Sequence, residues 1–110
     1  MNLVDLTYVR EMVEFDEKAV KNVIDMFVQQ ISQELILLEK AIEEQDFSLI
    51  KAISHKLQSS IKILRINVLI PVLSSMEEKS EQKNLPGLKE SFLHLREITY
   101  KVVEEIKEIK

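Results

Sequence analysis

The sequence predicts an all-α fold, an antiparallel up-down four-helix bundle with a short N-terminal capping helix. Glycine and proline are scarce, at one and two residues in 110, while Leu, Ile, Glu and Lys abound, a composition of strong helix formers. Apolar residues recur at three- and four-residue steps through most of the chain, the spacing of a helix face rather than of a strand. Short polar breaks with cap-forming residues separate the periodic stretches, which makes consecutive helices antiparallel neighbours. One domain, residues 1–110, accommodates all of them, and a chain of this size can close a core without disulfide or metal.

The elements follow in order. The first helix, within Leu3 to Met12, is short and carries apolar Leu6, Val9 and Met12 behind the candidate caps Asp5 and Thr7. Asp16 caps a second helix whose stripe, Val20, Ile24, Phe27, Ile31, Leu35, Leu38 and Ile42, reaches Glu44, a length of about 40 Å. Asp46 caps a third, with Ile50, Ile53, Leu57, Ile61 and Leu64 facing inward. A fourth segment places Leu69, Leu73 and Met76 behind the candidate cap Asn67 and ends near Ser80. Pro71 falls in its first turn, where a missing backbone donor costs least. The run from Lys79 to Gly87 reads as the longest loop, after which Leu88, Phe92, Leu95, Ile98, Val102, Ile106 and Ile109 describe a final long helix. Its charged end, KVVEEIKEIK, is expected to project as a lever or to fray. Met12, Met26 and Met76 lie on or beside the stripes and are expected to fill the core.

Composition also excludes functions. With Gly87 the only glycine, no Gly-rich loop can cradle a nucleotide phosphate, so no ATP-dependent kinase activity is expected. The absence of cysteine removes thiol catalysis, iron–sulfur clusters and zinc ribbons, and fits a cytoplasmic protein. The net charge of −4, with Lys and Glu interspersed, speaks against nucleic acid as a partner. No apolar run approaches the roughly 20 residues that span a bilayer, so no membrane insertion is expected.

Of the two histidines, His55 is the one set apart by its position. At about 100° of rotation per residue it lies nearly opposite the inward Leu57, on a face shared with Ser48, Lys51, Ala52, Gln58, Ser59 and Lys62. It should therefore point at solvent. Ala52 and Ser59, one turn to either side, are small enough to let a second protein approach the ring, and Lys51 and Lys62 bring positive charge that disfavours another charge on the imidazole. An open, neutral imidazole is a nucleophile suited to phosphate chemistry, with Gln58, Lys51 and Lys62 as donors to a phosphoryl group and Ala52, Lys56 and Ser59 as the docking surface. None of the residues one turn away is a usual metal ligand, so no metal is expected here. His94 has Glu90 and Glu97 on its face, in an order that lacks the paired Glu-x-x-His motifs of a di-metal bundle, and reads as solvated surface. Ser59 and Ser60 lack the elbow of a hydrolase, and Asp46 lies over two turns away.

The run from Asp46 to Ser60, DFSLIKAISHKLQSS, resembles the signature of histidine-containing phosphotransfer (HPt) domains, in which an Asp nine residues before the histidine precedes His-x-Leu-Lys-Gly-Ser/Ala. The likeness extends to Asp5-Leu6-Thr7-Tyr8-Val9, to Met26-Phe27 and to Leu69 through Glu77. It implies a module of a multistep two-component phosphorelay, which takes a phosphoryl group on His55 from a receiver-domain aspartate and passes it to another receiver. Its partners would be the receiver domains of response regulators or hybrid sensor kinases. The Mg²⁺ would sit on the receiver, and the module itself would need no cofactor. Three positions depart from the family pattern. Gln58 stands where Lys is usual and offers a hydrogen bond without charge, which leaves the electrostatics to Lys51 or Lys62. Ser59 replaces a glycine, and Arg65 stands where a helix-ending glycine is common.

A monomer is expected, since the histidine face must meet a partner. The competing reading is a helical interaction or scaffold module that never carries phosphate. Composition and periodicity fit both readings, and they part at His55, which a pure scaffold could replace without loss.

Overall fold

The computed structural model describes residues 2–109. The side chain of Ile109, the last stripe position expected from the sequence, lies outside the described residues, as does Lys110. The chain is all-helical. Helix α1 is Thr7–Met12, α2 Glu17–Glu43, α3 Phe47–Ile63, α4 Ile70–Glu81 and α5 Leu85–Ile109, with a 3₁₀ turn at Asn67–Leu69 leading into α4. Helix α3 packs against α2 and α4, and α5 against α4 and α2, while α1 lies on α2. The particle measures 43 × 22 × 20 Å, its long axis matching the 27 residues of α2 at about 1.5 Å each.

The long helices start where the sequence places caps. Asp16 accepts hydrogen bonds from the backbone N–H groups of Lys18 and Ala19, and Asp46 accepts one from Leu49, satisfying donors that the first turn leaves without partners. The stripes meet in one core. Val20, Ile24, Phe27, Ile31, Leu38 and Ile42 of α2 pack with Ile50, Ile53, Leu57 and Ile61 of α3, Leu73 and Met76 of α4, and Leu88, Phe92, Leu95, Ile98, Val102 and Ile106 of α5. Leu35 is only partly buried, and Glu34 takes an inward place on α2. Each full burial of a Leu or Ile contributes about 1.5–3 kcal/mol.

Four expectations need correction. The run Lys79–Gly87 is not a long loop, because α4 continues to Glu81 and α5 begins at Leu85. The Asn84 carboxamide oxygen accepts from the Gly87 N–H at 3.0 Å, so Pro86 and Gly87 are first-turn residues rather than linker. A Cβ on Gly87 would meet Asn84 Nδ2 at 2.6 Å, which makes glycine the residue that fits this cap. Asn67 does not cap α4, which is entered through the 3₁₀ turn without a side-chain cap. Met12 and Met26 are exposed and only Met76 is buried, since each of the first two lies rotated off its stripe. The end of α5 is held down through Ile106, as Val102 and Ile106 are buried and Glu105 accepts from the amides of Leu3 and Val4, each at 2.7 Å. The N-terminal segment thus folds onto the end of α5.

Four helices end on a non-glycine residue in the left-handed region: Glu14 after α1, Gln45 after α2, Arg65 after α3 and Lys83 after α4, with φ of 53°, 56°, 50° and 54°. Their N–H groups reach back to the Glu11, Ile42, Lys62 and Ser80 carbonyls and close each helix in the manner usual for glycine. A side chain in this region costs about 1–2 kcal/mol per residue. Gln45 is exposed. Gln45→Gly is expected to raise stability by about 0.5–1 kcal/mol, read as a higher urea midpoint at an unchanged slope.

Candidate functional site

Helix α3 has two faces, and the pattern that buries one exposes the other. Ile50, Ile53, Leu57 and Ile61 are buried, and the opposite face presents Ala52, His55 and Ser59 to solvent. The His55 side chain is 80% exposed. The sequence-based placement of these residues therefore stands, with Leu57 and Ile61 inward and His55 outward on the same helix.

Helix α4 supplies what the sequence reading lacked. Glu77 places its Oε1 2.9 Å from His55 Nδ1 and 3.1 Å from Gln58 Nε2. An ionised carboxylate only accepts, so Nδ1 carries the hydrogen of this bond and, in the neutral ring, the lone pair is left on Nε2. With its side chain 23% exposed and two donors on one oxygen, Glu77 is fixed against α3. The charge nearest the ring is therefore negative, opposite in sign to the one expected from Lys51 and Lys62.

The lysines are largely committed. Lys51 Nζ lies 2.6 Å from Glu81 Oε1, one turn beyond Glu77 on α4. The hydrogen bond and charge of Glu81, with Glu77 adding a smaller pull, hold the Lys51 ammonium above its ordinary value of 10.5. The stability that this pair contributes is complete below that value and is lost as pH rises through the higher folded one. Lys56 Nζ turns toward α2, where Glu34 Oε1 lies at 3.1 Å. Glu34 is buried, so Lys56 neutralises a charge that would otherwise be costly there. Lys62 is exposed and, among the described residues, is in none of the ion pairs. Of the three groups expected to steady a phosphoryl, Gln58 and Lys51 are thus engaged by α4 and Lys62 stands open.

The other side of α3 borders a shallow groove of about 190 Å³ lined by Val23, Met26, Phe27, Gln30, Ser60, Ile63 and Leu64. Ser60 Oγ and Gln30 Oε1 bridge it at 3.2 Å. Ile63 lies two turns past His55, about 12 Å along the helix axis, and Met26 is exposed beside it. A single exposed methionine carries no periodic signal, so nothing in the sequence marked this apolar edge.

Compared with known proteins, the chain matches no family model, no curated protein and no solved structure. The functional reading rests on the chemistry of the His55 face. Among the described residues no group of three or more His, Cys, Asp or Glu side chains is arranged to hold a metal, and no helix is long and apolar enough to cross a membrane. His94 is exposed on α5. Arg65 follows α3 with a positive φ of 50°, a backbone conformation that favours glycine.

Two outcomes follow from this geometry. ¹⁵N NMR of the neutral ring in the wild type is expected to report His55 with its hydrogen on Nδ1, and Glu77→Ala to return it to a tautomer mixture. Ser54, beside His55, is fully buried and its hydroxyl has no hydrogen-bond partner among the described residues. Ser54→Ala is expected to stabilise the fold by about 1 kcal/mol, because it removes a desolvated polar group, measured by chemical denaturation.

Proposed function

We propose that this chain is a phosphorelay intermediate, an HPt-type module that accepts a phosphoryl group on His55 from a receiver-domain aspartate and passes it to another receiver. In this reading α2, α3, α4 and α5 form an antiparallel up-down four-helix bundle capped by α1, working as a cytoplasmic monomer in two-component signalling. The observation that carries it is the pose of His55, open to solvent and pinned at Nδ1 by Glu77.

That pose suits nucleophilic attack. The Nε2 lone pair attacks phosphorus, the P–O bond to the aspartate breaks, and the carboxylate leaves with the bonding pair. The ring gains positive charge as the N–P bond forms, and Glu77, against the Nδ1–H, stabilises that charge where it develops. The Nδ1 hydrogen stays in place, ready for the reverse step. The receiver brings the aspartate and the Mg²⁺, while this chain brings the nucleophile and the surface, a division that suffices because phosphoryl transfer is chiefly positioning and charge stabilisation. Ala52 and Ser59 leave the ring approachable, Lys56 borders it, and Met26 and Ile63 offer an apolar edge within the span of a small transient interface.

The test is transfer of labelled phosphate from a phosphorylated receiver. The wild type is expected to acquire acid-labile label and His55→Ala none. Glu77→Ala is expected to slow transfer by about 100-fold, the lower end of the range for loss of one group that stabilises charge developing in the transition state. A folded wild type that takes no label from a panel of receivers would overturn the proposal in favour of a phosphate-free scaffold.

A further inference from the structure

Two glutamates of α4 reach across to α3 one turn apart, and they differ in how firmly they are held. Glu77 is three-quarters buried and takes two hydrogen bonds, from His55 and Gln58. Glu81 holds Lys51 alone, and both side chains are about half exposed, at 57% and 51%. An exposed single pair is worth little against solvent, whereas a doubly bonded carboxylate that is three-quarters buried stays in place. Lys51 is also four residues before His55 on the same helix, a spacing at which side chains meet.

From these observations we infer that Glu81 is a guard for Lys51: it holds the ammonium while His55 is unmodified and yields it to a phosphoryl group once one is bound to Nε2. The inference rests on the relay reading of His55 and deepens it by naming the residue that regulates the same site. A phosphoryl group carries about two negative charges near neutral pH and three acceptor oxygens, against one charge on Glu81, so the exchange favours the phosphoryl. Glu77 cannot make this exchange without abandoning two donors. Gln58, tied to Glu77, supplies no charge, Lys56 is drawn toward Glu34 on α2, and Lys51 is the cation one turn before His55 on the same face. The guard therefore sets how much cation the phosphohistidine receives. It leaves Glu81 unpaired at the end of α4 in the phosphorylated state, a change in surface charge on the side from which a partner would approach.

The test uses phosphoramidate as a chemical donor, so that no receiver is needed. The Nε2 lone pair attacks phosphorus, the P–N bond breaks and ammonia leaves. Because His94 is also exposed, all proteins carry His94→Gln, and each is first checked for an unchanged helical circular-dichroism spectrum. ³¹P NMR then follows formation and decay of the phosphohistidine in the parent, Glu81→Gln, Lys51→Gln and the double variant. Glu81→Gln is expected to lengthen the half-life by about threefold, within the range set by an exposed ion pair, and Lys51→Gln to shorten it. In the Lys51→Gln background, Glu81→Gln is expected to change nothing, the non-additivity of residues that act through one another. Equal lengthening in both backgrounds would mean simple loss of a like charge and would overturn the guard, as would no lengthening in either. Absence of any phosphohistidine signal in the parent would remove the relay reading itself.

Discussion

The Glu77 carboxylate, seated on the α3–α4 seam, is the contact on which the site depends. It accepts from His55 and Gln58 at once, so the imidazole is held without any residue of its own helix acting as its orienter. The seam must be closed for this to happen. Ile50, Ile53, Leu57 and Ile61 on α3 face Leu73 and Met76 on α4 in the same core, and that burial sets the distance at which a glutamate on α4 reaches the exposed edge of α3. Apolar packing therefore fixes the polar geometry, since a dense core adjusts little.

The same seam gives the uncharged Gln58 its place beside the carboxylate. A lysine at this position would lie beside Glu77 and form another committed ion pair, whereas the carboxamide holds the carboxylate with a hydrogen bond and leaves its charge directed at the ring. Charge around His55 is thus arranged in layers. Glu77 is nearest and fixed, Lys51 with Glu81 is one turn away and half exposed, and Lys56 is withdrawn toward the buried Glu34. A basic surface read from a count of lysines becomes a nearly neutral one when their partners are placed.

Helix ends show a similar division between local chemistry and context. Asp16 and Asp46 act as caps because a side-chain oxygen within a few residues of the orphan N–H groups needs nothing from the rest of the molecule. Asn84 performs a related task, yet the polar residues before it and the Pro-Gly pair after it read equally well as loop. Gln45, Arg65 and Lys83 accept left-handed backbone because the packed helices on either side over-determine the turn, a strain that packing can bear.

The sequence by itself determined that the chain is helical, where α2 and α3 begin, which stripes go inward, and that His55 lies opposite Leu57, because all of these follow from propensity and a 3.6-residue period within single segments. Only the tertiary structure decided that the segment from Leu3 folds onto Glu105, that Met26 is exposed, and that Glu77 and Glu81 meet His55 and Lys51 across 22 and 30 positions of chain. Periodicity ranks positions around one helix axis and says nothing of which side chain on a neighbouring helix arrives opposite them. That depends on the relative height and rotation of α3 and α4, which the packing of both hydrophobic stripes sets together.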